Sequence, residues 1–487
     1  MLNAPKPFFL TILLTESGEL SDRVALNVLP EGDSSWYVLT DAQVQLHPTL
    51  ADLIRRYSEQ RPDVGIFYGD EVALDEDTGA ERDVLLKPSF DVTQLIAQDY
   101  VGWPIFIHGR ALRRLGLPGE AGTAVTYDLL LRAQAAGIAV ERIPEILAVR
   151  RGAPRRANLE DRRRVAATWA AGGLGDFDVV PGRRPDTLRL TRRLADHPPV
   201  TLVIPTRREA PRDVDGRPAG RPYILDLLES LTTASWPVDR LTVLIGDDME
   251  DDGFYRQREW PFDMRFVATP RAPGERFNYA RKMNGLWRLA ATEHVVLMND
   301  DLVIATPDWL EALMTFALEP DVGGVGARLL YPSGRLQHVG MAFGPNDACA
   351  HLFLDEPGAA PTYGNWADVH REYSVVTGAV FATRRSLLDE INGFEERFSL
   401  SWNDVDMCLR LRLLGLRIVY TPHAELTHYE SASRGQSRVL GSEMALFLER
   451  WRDLFEDDPA YHPRLSRTSL IPTPLPVDDV RWWQRHT

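Results

Sequence analysis

The tripeptide Asn299-Asp300-Asp301 sets an amide and two carboxylates at the end of the apolar run His294-Val295-Val296-Leu297-Met298, with Leu302-Val303-Ile304 following. A buried strand that stops abruptly in acids delivers negative charge to the carboxyl edge of a sheet, where open α/β folds hold their ligands. Hard oxygen donors at such an edge suit Mg²⁺ or Mn²⁺, and a divalent cation in turn suits a diphosphate. A structural reading stands beside this one: Asp300 and Asp301 form a turn and cap a helix starting near Thr306-Pro307-Asp308. The tripeptide alone leaves both open.

The surrounding pattern supplies the elements that would position these groups. Val200 to Thr206 reads as a buried strand running into a Pro-bounded loop with Thr206-Arg207-Arg208 at its end. A helix is predicted over Tyr223 to Thr233, with Leu225, Leu228 and Leu231 at helical spacing, and a strand over Leu241 to Ile245 that ends in Gly246-Asp247-Asp248. A second helix from about Asn278 to Ala290 precedes the strand ending at Asn299. This alternation is the βαβ signature of a parallel sheet. One sheet edge thereby collects acids for a base, a ribose or a metal, and arginines for phosphate.

Composition narrows the class. A chain of 487 residues implies two or three domains. With 44% hydrophobic and 26% charged residues it reads as globular, and a net charge of −15 argues against a nucleic-acid partner. Lysine occurs only at Lys6, Lys87 and Lys282, which we read as base composition of the genome without functional content. Cys349 and Cys408 are too few for a disulfide framework or zinc cluster. No apolar stretch reaches the roughly 18 residues of a spanning helix. The run from Pro7 to Leu14 reads as a first strand in preference to a signal segment, so a cytoplasmic location is expected.

Residues 1–150 are expected to form one domain and 151–197 an arginine-rich structured linker. In that linker we predict a helix over Leu159 to Ala171 and a hairpin of Phe177–Val180 with Leu188–Leu190. Residues 198–440 form the central domain, and 441–487 a C-terminal helix and Pro-rich tail. Later elements of the central domain are a strand over Ser374 to Thr383 with Gly378 inside it, a helix from Asp404 to near Gly415, and a short strand over Leu416 to Tyr420. Thr427-His428-Tyr429-Glu430-Ser431 closes the domain. The linker arginines suit either a solvated face or peripheral docking on an anionic membrane.

Several segments in order resemble bacterial family 2 glycosyltransferases of the GT-A fold, in the branch that builds cell-surface polysaccharides. They are Ile204-Pro205-Thr206, Ile245-Gly246-Asp247, Arg276-Phe277-Asn278-Tyr279, Met298-Asn299-Asp300-Asp301 and Pro307-Asp308-Trp309-Leu310. Leu336-Gln337-His338-Val339-Gly340, Val376-Thr377-Gly378-Ala379, Gly393-Phe394-Glu395 and Asn403-Asp404-Val405-Asp406 continue the series. Leu426-Thr427-His428, Ser433-Arg434-Gly435 and Asp458-Pro459-Ala460-Tyr461 complete it. The expected fold class is α/β: a GT-A-type, Rossmann-like mixed sheet flanked by helices, preceded by a truncated GT-A-like domain.

The resemblance implies a role for each matching residue. Asp301, with Asn299 or Asp300, looks like the metal-binding acidic motif, and His428 like a further ligand suited to Mn²⁺. Asp404 looks like the base that takes a proton from the acceptor hydroxyl; as an acid in a first helical turn it also stabilises the helix by about 0.3 to 1 kcal/mol. Pro205, Thr206, Arg207, Asp247, Asn278, Asn284 and Asp300 are the implied nucleotide-sugar contacts, with Asp247 accepting from base or ribose. Trp402, as a stacking surface or as core, and His338 would face the acceptor. Asp406 and Arg410 are expected to pair structurally. The implied activity is inverting, metal-dependent transfer of a hexosyl or deoxyhexosyl group from a nucleotide-sugar to a hydroxyl of a glycan or lipid-linked saccharide. A non-catalytic glycan-binding or assembly scaffold is the alternative.

The first domain repeats the central one with its chemistry removed. The run Trp36 to Gln43 lines up at its end with Val295 to Asp301, so that Gln43 stands for Asp301 and Ala42 for Asp300. Thr126 stands for Asp404 while Asp128 and Arg132 keep the structural pair, and no histidine follows Ile143-Pro144. Phe67-Tyr68-Gly69-Asp70-Glu71 and Lys87-Pro88 also resemble family segments. Neither donor sugar, acceptor, linkage nor oligomeric state is encoded in a readable pattern.

Overall fold

A computed structural model of the chain describes residues 10–14, 35–40, 44–116, 121–152, 157–173, 177–211, 220–345, 348–429, 441–455, 458–476 and 482–484. The chain divides into two compact units. The first comprises Met1–Leu190, Tyr461–Ser466 and Thr473–Thr487; the second comprises Thr191–Ala460 and Arg467–Pro472. The segment expected as a linker is therefore mostly part of the first unit, and residues 441–460 belong to the second.

The first unit contains β1 (Leu10–Leu14), β2 (Trp36–Thr40), β3 (Val44–Leu46), α1 (Leu50–Gln60), β4 (Val64–Leu74), β5 (Glu81–Leu85), α2 (Val92–Ala97), β6 (Ile105–His108), α3 (Gly109–Leu115), α4 (Val125–Ala135), β7 (Ala139–Arg151) and α5 (Leu159–Gly173). Its sheet runs β1-β2-β6-β4-β7-β3, with β5 on β4. Every residue of β4 is buried, as a strand covered on both faces requires. The predicted linker helix and hairpin are present, the latter as β8 (Phe177–Pro181) and β9 (Leu188–Arg192).

The second unit is built on β10 (Val200–Thr206), α6 (Tyr223–Leu231), β11 (Leu241–Asp247), α7 (Gly253–Arg256), β12 (Asp263–Ala268), α8 (Tyr279–Trp287), β13 (His294–Met298), β14 (Leu302–Ile304), α9 (Trp309–Ala317) and β15 (Val322–Leu330). There follow β16 (Leu336–His338), β17 (Met341–Phe343), β18 (Cys349–His351), β19 (Arg371–Glu372), β20 (Val380–Arg384), α10 (Arg385–Glu390), α11 (Asn403–Leu413), β21 (Arg417–His428) and α12 (Gly441–Trp451). The sheet order is β12-β11-β10-β13-β20-β15-β21-β14. β10, β11, β12 and β13 are mutually parallel, and β13 pairs antiparallel with β20. The mixed sheet with helices between its strands is the expected fold class.

Two predicted strands differ from the observed ones. The extended run expected over Ser374 to Thr383 pairs as a strand only from Val380, because the Gly378 N–H turns away from the sheet to meet the Asp404 carboxylate. The strand expected over Leu416 to Tyr420 extends from Arg417 to His428, past Pro422, through a register shift opposite Ala327 and Arg328. Such a bulge absorbs a residue that cannot donate. Helix α11 ends where Gly415 takes φ +79°, a left-handed stop that suits glycine. In β15, Gly324 lets Phe381 approach so closely that an added Cβ would lie 2.0 Å from its ring.

Candidate functional site

The turn after β13 and the end of β21 bring the first pair together. β14 leaves Asp301 and pairs antiparallel with β21, setting Leu302 opposite His428, and the Tyr429 N–H donates to the Asp301 carbonyl at 2.9 Å. Asp301 Oδ1 consequently lies 3.0 Å from His428 Nε2, with the two residues 6% and 7% exposed. Asn299 Nδ2 is 3.4 Å from the same imidazole nitrogen. Gln337 Oε1 sits 2.6 Å from His428 Nδ1 and can only accept, so Nδ1 carries the hydrogen. Nε2 thereby faces the carboxylate oxygen, a geometry in which a ring hydrogen or a bound cation can join the two.

Asp404 approaches from α11. Its Oδ2 accepts from the Gly378 N–H at 2.9 Å and stands 3.4 Å from Thr377 Oγ1, while Oδ1 accepts from the Val405 N–H at 2.9 Å. The contact is tight: a Cβ on Gly378 would lie 3.2 Å from the Asp404 Cβ, so a side chain there would press on the carboxylate's residue. One residue further on, the Ala379 carbonyl accepts from the Asn299 N–H at 3.0 Å. A single backbone run, Thr377-Gly378-Ala379, thus links the carboxylate of Asp404 to the turn that carries Asp301. Trp402 precedes this helix with φ +65° and stacks on Phe447 of α12 at 4.2 Å between ring centroids. One ring face is therefore core.

Thr206, at the end of β10, donates its hydroxyl to Asp300 Oδ2 at 2.5 Å. Dense packing around the Asp300 carboxyl, and then the charge of Asp301, raise its pKa to about 7 against that hydrogen bond. Asp247 is fully buried. Its Oδ2 accepts from Arg208 Nε at 2.7 Å and from the Tyr255 hydroxyl at 2.6 Å, and its Oδ1 from the Met249 N–H at 3.0 Å. Arg208 holds a left-handed φ of +60° and covers the Phe254 ring at 4.3 Å. Asp247, expected to receive a base or ribose, is closed over by this arginine. Arg207 pairs with Glu209, and Pro205 is buried in β10 opposite Gly246.

Two of the expected nucleotide contacts serve the fold. Asn278 caps α8 by accepting from the Arg281 N–H at 2.8 Å, and its Nδ2 donates to the Glu396 carbonyl at 2.8 Å. Asn284, only 3% exposed, exchanges hydrogen bonds of 2.9 Å with both the N–H and the carbonyl of Phe394, and also accepts from Trp287. Its amide imitates a strand partner for the loop after α10. A buried Asn on a helix has four hydrogen bonds to satisfy, and a neighbouring loop supplies partners for Asn284.

His338 is wholly buried; its Nε2 accepts from the Thr377 N–H at 3.3 Å and its Nδ1 lies 3.0 Å from His351 Nδ1. Burial, followed by the neighbouring His351 and His428, holds its pKa well below the ordinary value. The imidazole is a neutral support for the Thr377-Gly378 run. Sequence reasoning missed Gln337, which orients His428, and Thr377 with Gly378, which orient Asp404, although all three lie inside the matching segments. It also missed Lys282 of α8, whose rarity in an arginine-rich chain was the available signal.

Asp406 and Arg410 form the expected pair at 2.7 Å, and Arg450 of α12 joins Asp406 at 3.0 Å. Arginines from the expected linker are in part engaged: Arg163 with Glu160 at 2.9 Å, Arg164 with Asp161 at 3.1 Å, and Arg162 with the Asp186 carbonyl at 2.7 Å. Among the described residues no helix is long and apolar enough to cross a membrane. Nor, among those residues, is any group of three or more His, Cys, Asp or Glu placed to hold a metal ion by itself.

Residues 197–441 match the family described as "Glycosyltransferase like family 2". The chain is 28% identical over 458 residues to the uncharacterized protein y4gI of Sinorhizobium fredii, covering 89% of this chain and 48% of that protein. It is 27% identical over 486 residues to the O-antigen biosynthesis protein RfbC of Myxococcus xanthus, covering 94% and 37% respectively. The chain thus spans less than half the length of these two relatives. An N-acetylglucosaminyl-diphospho-decaprenol L-rhamnosyltransferase of Mycobacterium tuberculosis is 25% identical over 240 residues, covering 44% of this chain and 74% of that one. Among solved structures, the mannosyltransferase PcManGT of Pyrobaculum calidifontis, in complex with GDP-Man and Mn²⁺, matches with a TM-score of 0.36 and 18% identity, over 52% of this chain and 65% of that one.

Proposed function

The chain belongs to glycosyltransferase family 2, and from that premise we propose that it moves a sugar, with inversion, from a nucleotide-sugar to a hydroxyl of a glycan or lipid-linked acceptor in cell-surface polysaccharide synthesis. The observation that carries this reading is the run Thr377-Gly378-Ala379. It holds the Asp404 carboxylate in one orientation and fixes the turn bearing Asp301 beside it.

Asp301 and His428, with the Asn299 amide near them, fit a divalent cation of the Mn²⁺ or Mg²⁺ kind. Two protein donors leave most of the coordination sphere to a donor diphosphate, and a bound cation supplies charge neutralisation for the departing diphosphate. The chain's own residues do the rest. Thr377 and Gly378 keep the Asp404 carboxylate from rotating, so that it accepts the proton of an acceptor hydroxyl as that oxygen attacks the anomeric carbon. Thr206 orders Asp300 at the adjoining strand end. For a base to reach Asp247, Arg208 swings off its carboxylate.

The test is release of nucleoside diphosphate from a panel of nucleotide-sugars, with and without Mn²⁺, for the full chain and for Asp404→Asn. The expected result is metal-dependent release by the native chain and a loss of about 10² to 10⁴ in kcat for the variant, with donor binding kept. Equal turnover by the variant removes Asp404 from the role of base. No turnover by the native chain with any donor and added glycan acceptor favours an assembly scaffold.

A further inference from the structure

Lys282 projects from α8 to the carboxyl ends of β10 and β11. Its Nζ donates to the Thr206 carbonyl at 2.8 Å and to Asp248 Oδ1 at 2.5 Å, and its side chain is 8% exposed. An ammonium has three hydrogens, and no described residue accepts the third. Asp247 and Asp300 lie within its electrostatic reach, and burial lowers its pKa against the pull of Asp248. Asp248 has a second cation, Arg271, at 3.3 Å. Asp248 is thus shared between two cations, and the lysine's third hydrogen is not used by it.

We infer that Lys282 is a contact for the donor's nucleoside diphosphate, giving its remaining hydrogen to an oxygen of that ligand where it runs along the sheet edge. The inference rests on the donor reading above. Four carboxylates, Asp247, Asp248, Asp300 and Asp301, end β11 and β13 or follow them, and an anionic ligand crossing them needs a fixed positive charge on its path. Arg208 faces Asp247 and Arg271 faces Asp248; Lys282 lies at both strand ends, buried, with one ammonium hydrogen that no described residue accepts. The choice of side chain agrees. The chain has only three lysines among its 55 basic residues, and this one places a compact point charge between two strand ends.

The experiment is calorimetric titration of UDP, GDP and dTDP, with Mn²⁺ present, into the full chain, Lys282→Met and Asp248→Asn. A charge-assisted hydrogen bond predicts weakening by about tenfold or more in Lys282→Met, with the melting temperature changed by only a few degrees. Asp248→Asn removes the internal partner and keeps the cation, so its affinity stays within about threefold of native. Native affinity in Lys282→Met overturns the inference. So does an equal loss in both variants, which marks the lysine as a clamp on two strand ends. If the native chain binds none of the three diphosphates, the donor reading itself fails and this inference with it; native binding that survives Lys282→Met sinks the inference alone.

Discussion

At the scale of the residue, the site depends on groups that have no chemistry of their own. Gln337 is the clearest case. Its carbonyl oxygen takes the Nδ1 hydrogen of His428 at 2.6 Å and so decides which ring nitrogen faces Asp301. Partners of this sort typically set metal affinity by about 10- to 100-fold. Gln337→Leu should therefore weaken Mn²⁺ binding by about that factor while preserving the fold; unchanged Mn²⁺ titration would remove Gln337 from its orienting role. The acids themselves were legible: a strand that stops in Asn299-Asp300-Asp301, and His428 at the end of a matching segment, need no structure to find. Their partners were not, because a Gln, a Thr and a Gly carry no pattern until the backbone shows what they touch. Asn284 carries the opposite lesson. A polar residue on a helix inside a motif reads as a ligand contact in the sequence, and only the structure shows that its amide holds a loop.

At the scale of the element, α12 braces α11, the helix that carries the proposed base Asp404, through the loop before it. Glu443, 2% exposed, accepts from the Ser399 N–H at 2.7 Å, the Ser399 hydroxyl at 2.6 Å and the Ser401 N–H at 3.3 Å, gripping the loop that leads into Trp402 and Asp404. Arg450 and Trp451 reach Asp406 at 3.0 and 3.1 Å. The sequence showed α12 as an amphipathic helix; it could not show that the polar face was the working one. Glu443→Ala frees the backbone N–H groups of Ser399, Leu400 and Ser401, so kcat should fall several-fold with the donor KM unchanged, and a parallel rise in KM would mean general loosening. Glu395 joins the same network. Hydrogen bonds from Arg397 first, and then from Arg450, hold its pKa down to about 2 from an ordinary 4.5. A depressed carboxylate stabilises the fold above its unfolded pKa and loses that contribution as pH falls from about 4.5 towards about 2. Arg397 is 61% exposed, so solvent screening limits the contribution to about 1 kcal/mol. Glu395→Gln should melt lower than native at pH 7, with the gap closing across that acid window; a gap independent of pH would assign the effect to packing.

At the scale of the whole molecule, the two units share half a design. In the first, β2-β6-β4-β7-β3 pair antiparallel, antiparallel, parallel and antiparallel. In the second, β13-β20-β15-β21-β14 follow the same chain order with the same four senses. Even the helix pair recurs, with Arg132 bonded to Asp128 at 2.8 Å and to the Leu115 carbonyl, as Arg410 is to Asp406 at 2.7 Å and to the Ile391 carbonyl. The packing residues made this repeat visible in the sequence, since a helix must keep its pair whether or not it catalyses. What the sequence hid is a difference beyond β2: among the described residues it pairs on that side with the antiparallel β1, where β13 is followed by three parallel strands, β10, β11 and β12. Thr126, 1% exposed, stands buried at the position that aligns with Asp404. We propose that this unit is catalytically inert. Gln43 lies outside the described residues, yet it belongs in the test because it replaces Asp301 in the alignment. Thr126→Ala combined with Gln43→Ala should leave turnover within a few-fold of native, and titration of nucleoside diphosphate should reach one site per chain. A hundredfold loss in a folded variant, or a second saturable nucleotide site that this pair abolishes, would return catalytic standing to the first unit.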